Sequence, residues 1–432
     1  MEKIALINLP SPFLISDKVF PNSGLLQLTT SLRERGYNAR IIDLCGSEDP
    51  IEDMFDNIHD ETYVGFSSTT PQFMDAYKLH KELKKKMPEV KTIIGGAHPS
   101  AIYSLINHGK TEDVNIKPLM EFDHIIVGEG DEIDFSNLQI GWNVQKLIKN
   151  INEKPIPDRN LLDIHSYKYS LKGKPTTTIV TQRGCPFRCV FCSGRDIEMY
   201  KMPRSKTPEK ILEELDYLNE NFGFESFMWY DDELNVNPKR LINLSKLLKN
   251  RNYQHRGFIC SDLLVKHPET LEALVNSGFV ELCSGVESGS ESILKIINKR
   301  TTPEINAKAA DMIMGAGLTY KAFTIIGHPS ETYKDIEKTI NWLKQVRPTN
   351  FDVTIMTPYP GSIIYDGSKP SEKYNGYGRE WNGLYFNDVD FSSQRSVAKG
   401  KPGEYSCSVR TDELTSEDLV KIREDMSGIL KK

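Results

Sequence analysis

No stretch of this 432-residue chain comes near the roughly 18 consecutive apolar residues that a membrane-spanning helix needs. The apolar start, Ile4 to Leu9, is interrupted by Asn8 and Pro10, too early for the core of a signal peptide. A charge excess is missing too. The 54 Lys and Arg face 60 Asp and Glu, a net of −6, which offers no basic field for nucleic acid or an anionic membrane. Internal repeats and low-complexity segments are absent. Cysteine is scarce: there are seven, and Cys45, Cys260, Cys283 and Cys407 are scattered, which excludes a disulfide framework. These absences describe a cytoplasmic chain in a reducing compartment, without nucleic-acid or membrane partners. The hydrophobic content of 38% and charged content of 26% suit a globular protein, and the length suits two or three domains.

The remaining three cysteines, Cys185, Cys189 and Cys192, lie in Thr-Gln-Arg-Gly-Cys-Pro-Phe-Arg-Cys-Val-Phe-Cys-Ser-Gly-Arg. Structural zinc and ordinary iron–sulfur sites take four protein ligands. Three leave a position open for chemistry. No Cys or His lies close enough in sequence to complete a zinc knuckle. Gly184 and Pro186 oppose the other alternative, a buried helical stripe. Arg183, Arg188 and Arg195 surround the trio, and positive charge favours the thiolate. The reading these residues favour is an iron–sulfur cluster with one open iron.

Around this loop, short apolar runs alternate with amphipathic ones. Residues 1–135 carry five predicted strands separated by helices, the pattern of an open, doubly wound parallel sheet. Their carboxyl ends are small or turn-forming: Pro10-Ser11-Pro12, Asp43, Ser67 to Thr70, Gly95 to Pro99, and Gly128 to Gly130. Each could be an ordinary turn, but five on one edge point to a ligand crevice. Residues 136–175 read as an irregular linker punctuated by Pro155 and Pro157. Residues 176–367 hold about six βα units, a partial α/β barrel with its site at the strands' carboxyl ends. The short region 368–432 is polar and weakly patterned, with Glu417–Leu430 as a closing helix.

The trio, with Phe191 before its last cysteine, resembles the signature of radical S-adenosylmethionine (SAM) enzymes. Trp229 to Glu233, Gly285 to Ser290, Ile326 to Glu331 and Thr357 to Ser362 resemble the motifs that follow later strands of that barrel. Asn22 to Leu28, Gly95 to Ser100 and Val127 to Asp131 resemble the cobalamin-binding domain of the B12-binding subfamily. The resemblance implies that Cys185, Cys189 and Cys192 hold a 4Fe–4S cluster whose fourth iron takes SAM. It implies SAM contacts from Phe191, Asp232, Glu233, Ser261, Glu287, Ser288, Ile326, Gly327 and Tyr359, with Asp232 and Glu233 on the ammonium, Glu287 on the ribose and Ser288 on the carboxylate. For cobalamin it implies Pro10, Ser11, Gly24, Leu25, Ser67, Ser68, Thr69, Gly95, Gly96, His98, Gly128 and Glu129.

The Asp-x-His-x-x-Gly motif is absent, since Asp43-Leu44-Cys45-Gly46 does not match it, so cobalt would have no protein histidine. The segment after Gly130 is short, which implies a missing domain edge. His328 replaces a usually apolar position and could face substrate or be a satisfied loop histidine. Cys283 could point into the barrel or be a packed thiol. No catalytic side chain beyond the cluster is assigned. The implied activity is methylation of an unactivated carbon, driven by a 5′-deoxyadenosyl radical and a reductant such as flavodoxin or ferredoxin. The alternatives are a radical cyclase or rearrangement enzyme, with or without cobalamin, and an iron–sulfur sensor or electron carrier. The substrate itself is not implied.

Overall fold

The first strand, Lys3–Asn8 (β1), has every residue but Lys3 buried, as expected of a central strand covered on both faces. With Asn38–Asp43 (β2), Tyr63–Ser67 (β3), Lys91–Gly95 (β4), His124–Val127 (β5) and Gly141–Val144 (β6) it forms a parallel sheet of order β2-β1-β3-β4-β5-β6. The order reverses between β1 and β3, and ligands bind at such reversals. The computed structural model describes residues 2–11, 14, 16–194, 197–389 and 405–428; Pro12, Arg195 and Leu430 lie outside them.

β6 lies in the stretch that reads as an irregular linker, so the sheet edge expected to be missing is present. After β6 the chain crosses the first helix, Ser23–Glu34. Gln27 Nε2 donates to the Pro155 carbonyl at 3.1 Å, and the Asp158 N–H donates to Thr30 Oγ1 at 2.9 Å.

The second sheet begins with the hairpin Ser170–Leu171 (β7) and Lys174–Ile179 (β8). The cysteine loop follows, its neck closed by the antiparallel pair Gln182–Arg183 (β9) and Arg204–Ser205 (β10). Ser226–Trp229 (β11), Gln254–Phe258 (β12), Phe279–Glu287 (β13), Thr319–Ile326 (β14) and Asn350–Ile355 (β15) then join β8 in parallel register, giving the order β15-β14-β13-β12-β11-β8-β7. β15 and β8 do not pair, so the sheet is a curled half-barrel. Its helices open on a repeated device: Thr207-Pro208, Asn237-Pro238 and Thr302-Pro303 each place a capping oxygen on the N–H three residues on and a proline in the first turn.

The polar C-terminal region is more ordered than its pattern suggests. Lys369–Pro370 (β16), Arg379–Trp381 (β17), Leu384–Phe386 (β18) and Val409–Thr411 (β19) form an antiparallel sheet, followed by the helix Ser416–Ser427. β18 is buried along its whole length. No helix among the described residues is long and apolar enough to cross a membrane.

Candidate functional site

The cysteine loop starts on a backbone only glycine adopts easily. Gly184 has φ +86°, and a Cβ there would sit 2.4 Å from the Met202 carbonyl oxygen. The Gly184 N–H donates to Asp232 Oδ2 at 2.6 Å and the Cys185 N–H to the Tyr200 carbonyl at 2.9 Å. Farther on, the Val190 N–H reaches the Ile297 carbonyl and the Gly194 N–H that of Gly361. Cys185, Cys189 and Cys192 are all partly exposed and outside any disulfide. Among the described residues no three His, Cys, Asp or Glu side chains converge as ligands of one ion would. A cluster asks for less convergence, because each thiolate binds a different iron. Three accessible thiols on one pinned loop fit that demand.

The charge near the loop comes from an unexpected residue. Arg183 is engaged elsewhere: it pairs with Glu129 at 2.8 Å and with Asp131 at 3.1 Å, so its charge is neutralised. Arg195 lies outside the described residues. Among the described residues, Lys299 is a cation that faces Cys189, and Glu287, Cys189 and Glu233 all favour its protonated form despite burial. Lys299 Nζ pairs with Glu287 Oε1 at 2.8 Å. Gly285 makes room for that pair, since a Cβ there would lie 2.1 Å from Glu287 Oε1. Glu287 has φ +61°, a conformation that costs a non-glycine residue about 1–3 kcal/mol.

The three acids after β11 take different directions. Asp231 turns back to accept from the Thr181 and Gln182 N–H groups at 2.6 and 2.9 Å. Asp232 holds Gly184. Glu233 points inward, its Oε1 buried without a hydrogen-bond partner, and burial raises its pKa to about 8 against the pull of Lys299. An orphaned buried acceptor beside the cysteine loop suits an ammonium donor. Asp232, Glu233, Glu287 and Phe191 therefore lie around the loop, with Phe191 edge-on to the buried His328 at 6.3 Å.

The other sequence-predicted SAM residues have partners within the fold. Ser261 Oγ donates to Ser284 Oγ at 3.3 Å, and Ser288 Oγ accepts from the Ser290 N–H at 3.1 Å. The Gly327 N–H donates to Glu331 Oε2 at 2.6 Å, and the Ile326 carbonyl accepts from the Met356 N–H. The Tyr359 carbonyl takes the Ser362 hydroxyl, while burial raises the Tyr359 phenol's pKa. Cys283 is packed: it accepts from Arg256 Nε at 3.3 Å, and burial raises its pKa to about 11.

Beside the loop opens a cavity of about 380 Å³, with about 1630 Å³ of empty space once its mouth is counted. Gly24, Leu25, Ser67, Gly95, Gly96, Gly128 and Glu129 line it, and so do Tyr200, Tyr230 and Asp232 from the half-barrel. It runs over the face of β1, β3, β4 and β5 beneath the first helix, where Leu6, Gly65, Ile93 and Leu28 form apolar walls. Bare backbone at several glycines lets a broad, flat ligand lie close. Gly96 has φ +99°, and a Cβ there would meet the Ser68 carbonyl oxygen at 2.8 Å. These features fit a corrin ring with an apolar tail. The linker, the source of no sequence-predicted site residue, contributes Ile151, Lys154, Pro157 and Arg159 to the wall.

Five sequence-predicted cobalamin residues do not line this cavity. Pro10 and Thr69 are joined through Gln72, which donates to the Pro10 carbonyl at 3.3 Å and accepts from Thr69 Oγ1 at 2.9 Å. The Ser11 N–H bonds Asp17, and Ser68 is buried between β3 and β4. His98 is fully buried, its ring stacked on Phe73 at 4.1 Å and its Nδ1 3.1 Å from Thr70 Oγ1.

Buried titratable groups make stability depend on pH in two opposing ways. Burial lowers His80 and His328 to about 4 and His98 and His255 to about 3. Their stabilisation is present above the unfolded histidine value of 6.5 and is lost as pH falls. Burial raises Glu233 and Glu331 to about 8, so their stabilisation is complete below 4.5 and is lost as pH rises toward 8. Below pH 6.5 four histidines outweigh two carboxyls; above it only the carboxyls act. The apo protein is expected to melt highest near the histidine value of about 6.5 and to lose stability on both sides, which melting curves at stepped pH will show.

Two family models match the chain. Residues 16–134 match the B12 binding domain and residues 179–343 the Radical SAM superfamily. This chain is a B12-binding radical SAM protein. An uncharacterised methyltransferase of Pyrococcus horikoshii is 29% identical over 80% of the chain and 78% of its own length. The anaerobic magnesium-protoporphyrin IX monomethyl ester cyclase of Rubrivivax gelatinosus is 24% identical over 82% and 69%. Among solved structures, the radical SAM methyltransferase TsrM of Kitasatospora setae, with cobalamin and a 4Fe–4S cluster bound, aligns with TM-score 0.65 at 15% identity over 90% of this chain and 81% of that one. The cobalamin-dependent radical enzyme OxsB, with aqua-cobalamin bound, aligns with TM-score 0.63 at 19% identity over 79% of this B12-binding radical SAM protein, which spans about half, 52%, of OxsB. The shared architecture is the sheet-plus-half-barrel fold. Family membership brings SAM, a 4Fe–4S cluster and cobalamin as cofactors, and a need for a reductant.

Lys299 and the Arg183–Glu129 pairing are the residues sequence reasoning missed. Lys299 follows an apolar helix as part of Asn-Lys-Arg, which reads as ordinary positive charge at a helix end.

Proposed function

We propose that this chain is a cobalamin-dependent radical SAM methyltransferase acting on an unactivated carbon. One observation carries the reading: residues of the N-terminal sheet and residues beside the cysteine loop line the same cavity, Gly24, Gly96 and Gly128 from one side and Tyr200 and Asp232 from the other. Two cofactor sites that share a wall can serve one substrate. In this reading Cys185, Cys189 and Cys192 hold the cluster, and Asp232 and Glu233 accept from the SAM ammonium. Glu287, oriented by Lys299, accepts from the ribose, while Phe191, Ser261, Ser288, Ile326, Gly327 and Tyr359 shape the rest of the SAM pocket. When bound, the cofactors supply a 5′-deoxyadenosyl radical from reductive cleavage of SAM and a methyl group carried by cobalamin.

The protein's own work is orientation and exclusion of water. We divide the chain near 1–135, 136–175, 176–367 and 368–432 with two edges moved: β6 carries the first domain to Val144, the β7–β8 hairpin opens the second at Ser170, and the stretch between them closes the cobalamin cavity. A low-potential flavodoxin or ferredoxin of the reducing cytoplasm is the proposed electron donor.

The test is anaerobic purification with hydroxocobalamin and reconstitution of the cluster. A methyltransferase is expected to hold stoichiometric corrinoid, to convert SAM to deoxyadenosine under dithionite, and to form methylcobalamin from SAM. The similarity to a cyclase favours one rival, which would release deoxyadenosine without forming methylcobalamin. A sensor or electron carrier would do neither.

A further inference from the structure

Glu129 belongs by sequence among the cobalamin contacts, yet both its carboxylate oxygens are taken by protein. Oε1 accepts from Arg183 Nη1 at 2.8 Å; Oε2 accepts from Arg204 Nη1 at 2.5 Å and from the Ile148 N–H at 3.1 Å. The group is 8% exposed and Arg204 6%. These two arginines are direct cross-strand partners in β9 and β10, and everything between them is the cysteine loop. A single carboxylate of the N-terminal domain thus grips both sides of the loop's neck.

The grip reaches inward from there. Arg183 is two residues before Cys185. Arg204 Nη2 donates to the Met199 carbonyl at 2.6 Å, next to Tyr200, whose own carbonyl holds the Cys185 N–H. Asp131 supports the same guanidinium of Arg183 through both its oxygens, at 3.1 and 3.2 Å. With two cations and two carboxylates the set is neutral, so it offers no net charge to attract a ligand. What it provides is fixed geometry through charge-assisted bonds with little water near them.

We infer that Glu129 is a positioning residue: by holding Arg183 and Arg204 it sets the cysteine loop, and the cluster on it, relative to the cobalamin cavity. This rests on the function proposed above. A displacement of about an ångström can cost reacting groups about 10²-fold in rate. Glu129→Asp keeps the charge but shortens the reach, and Glu129→Gln keeps the shape but removes the charge, so the pair separates geometry from loss of folding.

The test uses the full chain with reconstituted cluster and hydroxocobalamin. Both variants are expected to keep full cluster content and to lose at most severalfold in hydroxocobalamin affinity, because Glu129 borders the cavity but both its oxygens are already held by Arg183, Arg204 and the Ile148 N–H. The spin relaxation that the reduced cluster imposes on cob(II)alamin should change in both. Methylcobalamin formation from SAM should fall about 10²-fold while deoxyadenosine release changes less than about threefold. A tenfold or greater loss of hydroxocobalamin affinity would make Glu129 a direct ligand and overturn the inference. So would loss of cluster and both activities together, or unchanged relaxation and rates. Failure of the wild type to bind hydroxocobalamin would instead sink the cobalamin reading, and this inference with it.

Discussion

Cys189→Ala is expected to yield a folded, soluble protein with no cluster absorption and no deoxyadenosine from SAM under dithionite. A three-thiolate site has no spare ligand, and two cannot hold a cube whose fourth iron must stay open. The loop does not depend on the cluster for its path. Its neck is closed by β9 and β10, its first turn by Gly184 on Asp232, and its far side by Val190 on Ile297 and Gly194 on Gly361. The fold should therefore survive, and so should corrinoid binding, because no cysteine lines the cavity. Iron content, visible absorption and chromatography of the SAM products check the result. A variant that keeps a full cluster and cleaves SAM would show that the ligands lie elsewhere.

Lys299→Met should produce the largest loss of stability among changes at the site. Lys299 is the cation paired with buried Glu287, and it also acts on Glu233, whose carboxyl is desolvated. Breaking a buried pair typically costs about 3–5 kcal/mol, because the surviving charge loses its partner. Lys299 keeps 21% of its side chain exposed, so the low end, about 3 kcal/mol, is expected. That is a large share of the roughly 5–15 kcal/mol that holds a domain folded. Without the cation, Glu233 rises further above its burial-raised value of about 8. Its carboxyl, already mostly protonated at neutral pH, then becomes harder still to ionise for the SAM ammonium, and SAM affinity should weaken about tenfold. Denaturant melts and equilibrium SAM binding measure the two effects. Lys299→Met with Glu287→Gln should recover part of the stability, since it removes the stranded charge, and should leave SAM binding weak. If the single variant melts like wild type, the pair is solvent-screened and contributes little.

The two variants touch opposite kinds of information. Cys185, Cys189 and Cys192 are seven residues apart at most, and their chemistry is carried by spacing alone. The glycines of the cavity, among them Gly96 and Gly128, were legible for a similar reason: a backbone that must turn leftward or lie against a ligand marks its own sequence. The strand–helix rhythm was visible because burial on one side writes a period into each element. β6 and β18 escaped because they are short and their neighbours are polar, so only pairing with β5 and β17 makes them strands.

His98 shows the limit at a single position. Its glycine-flanked turn reads as a pocket wall, but the helix that follows points the ring onto Phe73. Lys299 shows the converse, a basic residue that looks solvated and ends between two carboxylates.

By itself, then, the sequence determined a three-thiolate loop, an α/β half-barrel behind a parallel sheet, and the glycine turns of a second cofactor's cavity. All of these depend on neighbours within a few residues. The tertiary structure decided that Lys299 faces Cys189 while Arg183 turns to Glu129 and Asp131, and that the linker completes the cavity wall. It also decided that Glu129 grips the neck of the cysteine loop. Those outcomes join residues tens to more than a hundred positions apart, and only tertiary packing, within the half-barrel for Lys299 and between domains for Glu129, brings such groups together.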